Sequence, residues 1–203
     1  SYVCRPISRN DLIMLDIQKI IQESVHVKSA MLAECSQHIQ SAAQMMIDTA
    51  KRGNKIFWCG NGGSAADAQH MAAELMGGLR DHDRPAIASI ALTTDSSFLT
   101  AWANDTDYES IFSRQIQGLG EEGDVLVAIS TSGNSANVIQ GIKAAKAKSM
   151  KVIVLTGKSG GEMAGKGDVT ICIPSDDTQR IQEGHLLTEH ILCESVEAAI
   201  MDR

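Results

Sequence analysis

The stretch Lys55–Leu79, KIFWCGNGGSAADAQHMAAELMGGL, decides the fold. Ile56 to Cys59 are apolar and β-prone, so they read as a buried strand. Gly60, Gly62 and Gly63 permit a sharp reversal and let backbone N–H groups approach a ligand closely. Ser64 stands where a helix N-cap is expected. The helix predicted after it, Ala65 to Leu75, carries His70 and Glu74 at i, i+4, so both leave one face. The stretch therefore couples an anion cradle to a His/Glu pair.

Outward from it, the same unit repeats. Val125 to Ile129 form a predicted strand, Ser130-Thr131-Ser132-Gly133-Asn134-Ser135 a polar turn, and Ala136 to about Lys148 a helix. Three more strands are predicted: Ala86–Leu92, Lys151–Leu155 and Val169–Ile173, the last stopped by Pro174. Asp95 caps a helix through Phe98 and Trp102, Asn104–Asp107 read as a polar loop, and a helix covers Glu109–Leu119. A final helix runs from Thr178 to Met201. Upstream, residues 1–10 read as a loose arm. Apolar spacing from Asp11 through Leu12, Leu15, Ile17 and Ile21 predicts a long helix to about Ala33. Ser36 opens a second helix that ends at Gly53. These two helices pack either on their own sheet or against a second subunit. Strands alternating with helices require a parallel sheet covered on both faces. The expected fold is therefore α/β, three-layered, with a central five-stranded parallel sheet and two long N-terminal helices. Residues 11–203 form one domain in this reading. Both polar turns follow strands, and ligands of such sheets bind at the carboxyl ends of the strands.

Composition narrows the function. With 203 residues, 43% apolar and 21% charged, the chain is expected to be globular. A net charge of −7 and 3% aromatics argue against nucleic acid, because neither phosphate neutralisation nor base stacking is supplied. The five cysteines are widely spaced with no C-x-x-C, as expected of reduced thiols in a cytoplasmic protein. No run of 18 apolar residues occurs, so no membrane-spanning helix is expected.

Several motifs compete with simpler readings. Gly60 to Ala65 satisfy G-x-G-x-x-A, but the acidic residue Asp95 comes too late for a dinucleotide site. Gly157-Lys158-Ser159 imitate the end of a P-loop, but Val152 holds the earlier glycine position. The 130–135 turn carries four hydroxyls at a helix N-terminus, where capping needs one, and this favours a phosphate monoester. His70 and Glu74 can bind a metal or act as an acid/base pair, against the alternative of two solvated residues. The last helix carries Arg180, Gln182, Glu183, His185, Glu189, His190 and Glu194, a charge run whose default reading is a solvated face. Gln182 and His190 are separated by about 12 Å of helical rise, a strain for two ligands of one metal. Either Gln182 lies in a non-helical turn or the site joins subunits. Spacing does not choose between His185 and His190.

Four blocks together resemble a known family. CGNGGSAADAQHMAAEL, GDVLVAISTSGNSANVIQGIKAAK, VIVLTGKSGGEMAG and RIQEGHLLTEHILCESVE look like the phosphoheptose isomerases of the sugar-isomerase (SIS) fold, over about residues 35–200. The resemblance implies a flavodoxin-like SIS domain and a homotetramer with shared active sites. It implies conversion of sedoheptulose 7-phosphate to D-glycero-D-manno-heptose 7-phosphate, the first step toward nucleotide-activated heptose for surface polysaccharide. Family substrate contacts fall on Asn61, Gly62, Gly63, Ser64, Glu74, Asn104, Asp105, Ser130, Thr131, Ser132, Ser135 and Gln182. Zinc-binding members use residues matching His70, Glu74, Gln182 and His190, with one Zn²⁺ per subunit. Glu74 and His190 match the family's catalytic acid/base pair, so the resemblance selects His190 where spacing does not.

Ketose–aldose isomerisation fits these residue types. It moves a proton between C1 and C2 through a cis-enediol and needs a base, an acid and a holder for the developing oxyanion. Two departures from the family stand out. Gly77-Gly78-Leu79 replaces a frequent Gly-Arg-aromatic sequence, leaving Arg80 two places late, and Gln179 stands where some members have an acid. Two other SIS readings compete. One is an isomerase of a different phosphosugar, which usually carries further regulatory domains. The other is a replication-initiator-associating protein, which lacks the catalytic Glu and final His and has Arg in the serine loop. Glu74, His190 and Ser132 are all present here.

Overall fold

Five parallel strands form the sheet: β1 Ile56–Cys59, β2 Ser89–Ala91, β3 Val125–Ser130, β4 Lys151–Gly157 and β5 Val169–Ile173. The computed structural model describes residues 16–201; the arm at 1–10 and the helix start at Asp11 lie outside these. Strand order is β2-β1-β3-β4-β5, the flavodoxin-like arrangement, so direction switches between β1 and β3. The central strands β1, β3 and β4 are apolar on both faces because helices cover both. Ile56, Trp58, Val125, Val127, Ile153 and Leu155 face one core. Phe57, Cys59, Leu126, Ala128, Val152 and Val154 face the other.

The helices are α1 Ile17–Glu34, α2 Ser36–Lys51, α3 Gly63–Gly77, α4 Ser96–Asp105, α5 Ile111–Leu119, α6 Ala136–Ala147 and α7 Thr178–Met201. Residues of α2, α3 and α7 fill the first core, and residues of α5 and α6 fill the second. The parallel sheet, the number and order of its five strands along the chain and the final helix match the sequence reading. Four local expectations change. Ser36 does not cap α2. Cys35 holds that place in a helical conformation, and the Ser36 hydroxyl instead donates back to the Leu32 carbonyl at 2.7 Å. Gly62, not Ser64, precedes the first residue of α3, and Ser64 is buried inside the first turn. β2 is shorter than Ala86–Leu92, because it sits at the sheet edge and pairs with β1 only over Ser89–Ala91. The predicted loop 104–107 is half helical, because α4 continues through Asp105.

The two N-terminal helices divide the expectations made for them. α2 buries Ile39, Ala42, Ala43 and Met46 in its own core. α1 buries only Val27 and Met31, and leaves Ile17, Ile21, Val25 and Leu32 between 57% and 76% exposed. Cys35, Cys59, Cys172 and Cys193 are free thiols. No helix among the described residues is long and apolar enough to cross a membrane.

Candidate active site

Two strand ends at the switch point bring the polar turns together. In the β3–α6 turn, the Ser130 hydroxyl lies 2.9 Å from that of Ser135 and 3.4 Å from that of Ser132. The Asn134 N–H donates to Ser132 Oγ at 3.2 Å. Gly133 makes the turn possible. Its φ is +67°, and a Cβ there would collide with the Gly160 carbonyl. The turn opens on a cleft of about 290 Å³ lined by Thr131, Ser132, Asn134, Lys158 and Thr178. The hydroxyls of Thr131, Ser132, Ser159, Ser175 and Thr178 converge there with the Lys158 ammonium, donors that suit a phosphate, beside the carboxyl of Asp176.

In the β1–α3 turn, Asn61 is held from two sides. Its amide exchanges hydrogen bonds of 2.9 and 2.8 Å with Asn137 at the start of α6. The Tyr108 hydroxyl donates to Asn61 Oδ1 at 3.0 Å. Asn104 and Asp105 lie at the end of α4, exposed, with Asn104 Nδ2 donating to Asp105 Oδ1 at 2.8 Å.

Helices α3 and α7 run side by side in the same direction. Gly63 meets Gln182, His70 meets His190, and Met71 meets Cys193. Gly63 lets the Gln182 amide sit close, because a Cβ there would stand 2.5 Å from Gln182 Nε2 and push that amide away. His70 Nε2 lies 3.0 Å from Glu74 Oε1, and the His70 and His190 rings meet edge to face at 5.0 Å. His190 Nδ1 lies 3.0 Å from the Leu186 carbonyl. A carbonyl only accepts, so Nδ1 carries the proton and Nε2 is the nitrogen left for chemistry. Glu74 is 23% exposed and His70 44%, so the pair is reachable from solvent.

This cluster answers an open question in the spacing. Gln182 is fully inside α7, so a non-helical turn is not its solution. Its amide rests over Gly63, two turns before the level of His70. His70, Glu74 and His190 are chemically suited to zinc, but His70 Nε2 is engaged by Glu74 and Gln182 faces the glycine turn. Among the described residues no three His, Cys, Asp or Glu side chains are arranged to hold a metal ion.

A scan against family models matches the SIS domain over residues 21–157. The chain is 53% identical to the phosphoheptose isomerase of Thiobacillus denitrificans over 166 residues, which cover 80% of this chain and 84% of that one. The structure of the phosphoheptose isomerase from Neisseria gonorrhoeae superposes with a TM-score of 0.83 at 44% identity, covering 90% of this chain and 97% of that chain. That from Francisella tularensis gives 0.86 at 36% identity, covering 90% and 96%. The chain belongs to the phosphoheptose isomerase family. It is therefore an isomerase of the SIS fold.

Within this family member, the charge run of α7 is not one solvated face. His185 and Glu189 are fully buried. His185 Nε2 lies 3.1 Å from the Thr156 carbonyl, and burial pushes its pKa down to about 4 despite that bond. Glu189 has no hydrogen-bond partner for either oxygen among the described residues. Burial, and secondarily the Asp67 carboxyl, push it up to about 8. Burial also raises Asp67, against the pull of His70 and His190. The sequence reading passed over Asp67, although its place one turn before His70 on α3 was a usable signal. Tyr108 and Asn137 were missed because their value lies in a contact with Asn61 that crosses 47 and 76 residues. Arg80 does not point to the glycine turn: its guanidinium pairs with Glu194 at 3.0 Å.

Proposed function

We propose that this site interconverts sedoheptulose 7-phosphate and D-glycero-D-manno-heptose 7-phosphate, the first step toward nucleotide-activated heptose for surface polysaccharide. The observation that carries the reading is that His70 touches both Glu74 and His190, which brings the two onto adjacent helices at the sheet edge that also carries the serine turn. Ser130, Thr131, Ser132 and Ser135 take the 7-phosphate. Asn61, Gly62, Gly63, Ser64, Asn104, Asp105 and Gln182 take the sugar hydroxyls.

The proton bookkeeping closes on two side chains. The Glu74 carboxylate takes a proton from C1, and the His190 imidazolium gives its Nε2 proton to O2, leaving a cis-enediol. Neutral His190 then takes the O1 proton, and the Glu74 carboxyl returns its proton to C2, giving the aldose. His70 donates to Glu74 and holds the reacting carboxylate in place. Zn²⁺, one per subunit, is proposed for a second state of the site on His70, Glu74, Gln182 and His190; it would require Gln182 to leave Gly63 and the Nε2 atoms of His70 and His190 to be unprotonated, and it would supply Lewis-acid polarisation of substrate oxygens. The steps above run without it.

The working form is a homotetramer with shared sites. The exposed apolar residues of α1, together with Leu187 and Ile191 flanking His190 on α7, support burial against other subunits. The enzyme is placed in the cytoplasm, with neither nucleic acid nor membrane as partner. The test is incubation of metal-analysed protein with sedoheptulose 7-phosphate, before and after chelation. Aldose 7-phosphate is expected as product. Its absence under both conditions contradicts the proposal and favours a non-catalytic SIS interaction protein.

A further inference from the structure

The C-terminal end of α3 is gripped by a buried ion pair that the proton chemistry does not use. Arg84 Nε donates to Glu197 Oε2 at 2.6 Å, and both side chains are 2% exposed. The remaining Glu197 capacity is filled by backbone N–H groups: Leu79 at 2.8 Å, Arg80 at 2.7 Å and Asp81 at 3.3 Å. The other two Arg84 nitrogens donate to the Pro85 carbonyl at 2.9 Å and to the Glu74 carbonyl at 2.8 Å. Glu74 is thus held through its own backbone by a guanidinium, and that guanidinium is held by the helix that carries His190. The Glu74 carbonyl already accepts the Gly78 N–H at 3.0 Å, so the guanidinium adds a second bond to it, and a cation at a helix C-terminus is favoured by the helix dipole. That preference explains a cation. It does not explain why its counter-ion comes from α7, two turns beyond His190, with every polar atom of the pair used.

We propose that Arg84 and Glu197 are positioning residues that set the register of Glu74 on α3 against His190 on α7. This inference rests on the reading of Glu74 and His190 as the proton-transfer pair. Only a planar fork reaches Glu197, the Pro85 carbonyl and the Glu74 carbonyl at once. A lysine keeps the charge and loses that geometry. A shift of about 1 Å in reacting groups costs about a hundredfold in rate.

The experiment measures kcat and KM for sedoheptulose 7-phosphate in wild type, Arg84→Lys and Glu197→Gln, with thermal melts and circular dichroism alongside, and Glu74→Gln as control. The expected result is a folded Arg84→Lys protein whose kcat is roughly ten- to a hundredfold lower and whose KM changes by less than about twofold. If that variant does not fold, Glu197→Gln, which keeps an acceptor for the 79–81 backbone, carries the same expectation. A lowered melting temperature with unchanged kcat overturns the proposal. So does failure of both variants to fold, since the pair would then serve the fold alone. Retained turnover in Glu74→Gln would instead sink the assignment of the base, a failure distinct from this one.

Discussion

The units β1–turn–α3 and β3–turn–α6 share a layout and differ in what they carry. In the first, the reactive groups lie along the helix: Asp67, His70 and Glu74 follow the turn by one to three turns of α3. In the second, the polar groups lie in the turn at 130–135 and at Asn137 in the first turn of α6, and the helix beyond buries Val138, Ile139 and Ile142. The neighbours account for the difference. α3 lies against α7, which brings His190, Glu189 and Gln182. α6 lies against α5, whose Ile111, Phe112 and Ile116 supply only apolar surface. In the proposed reading, the turn of each unit serves anion binding, and acid–base chemistry falls to the unit whose helix has a second polar helix beside it.

This contrast predicts a division of kinetic labour. Glu74→Gln should lower kcat by on the order of a thousandfold and leave KM nearly unchanged, because it removes a group that acts only during proton transfer. A comparable rise in KM would mean that α3 also holds the phosphate. In the other unit, Gly133→Ala forces a left-handed residue against the Gly160 carbonyl. It should cost roughly 3 kcal/mol of stability, read as a fall in melting temperature of about 6–12 °C. Its KM should rise, and an unchanged KM would separate the serine turn from substrate. Ser132→Ala is milder: removal of one hydroxyl donor to a charged phosphate should raise KM roughly tenfold with kcat nearly constant.

The smallest effect tests the buried side of α7. His185 is neutral in the fold, with its pKa pushed down to about 4 from an ordinary 6.5. Between those values the unfolded chain binds a proton that the native chain refuses. Stability therefore falls as pH drops from 6.5 toward 4, by at most about 1.4 kcal/mol per pH unit from this group. Urea midpoints at pH 7 and pH 5 should differ less in His185→Gln than in wild type. Equal differences would show that His185 does not titrate on unfolding.

The strands, their parallel packing and the two polar turns were legible because each is written in fewer than ten consecutive residues. Glycine, hydroxyl and β-branched residues announce themselves locally. The burial of His185 and Glu189 was not legible, since a charge run reads as solvated until its helix is known to be central in a core. The cap of α3 was misread for a similar reason. Ser64 has the chemistry of a cap, but the backbone reversal at Gly62 starts the helix earlier. His190 could be chosen over His185 only through family resemblance; the contacts that tell them apart, His185 to the Thr156 carbonyl and His190 to His70, cross 29 and 120 residues. The Arg84–Glu197 pair spans 113 residues and has no local signature at all.

The central claim is that Glu74 moves a proton between C1 and C2. Incubation of the protein with sedoheptulose 7-phosphate in D₂O, followed by NMR, tests it most directly. Because the Glu74 carboxyl is reachable from solvent and can exchange before it returns its proton, the account predicts aldose with partial deuterium at C2 in wild type, and no aldose and no exchange into recovered substrate in Glu74→Gln. Deuterium incorporation by Glu74→Gln at the wild-type rate would contradict it.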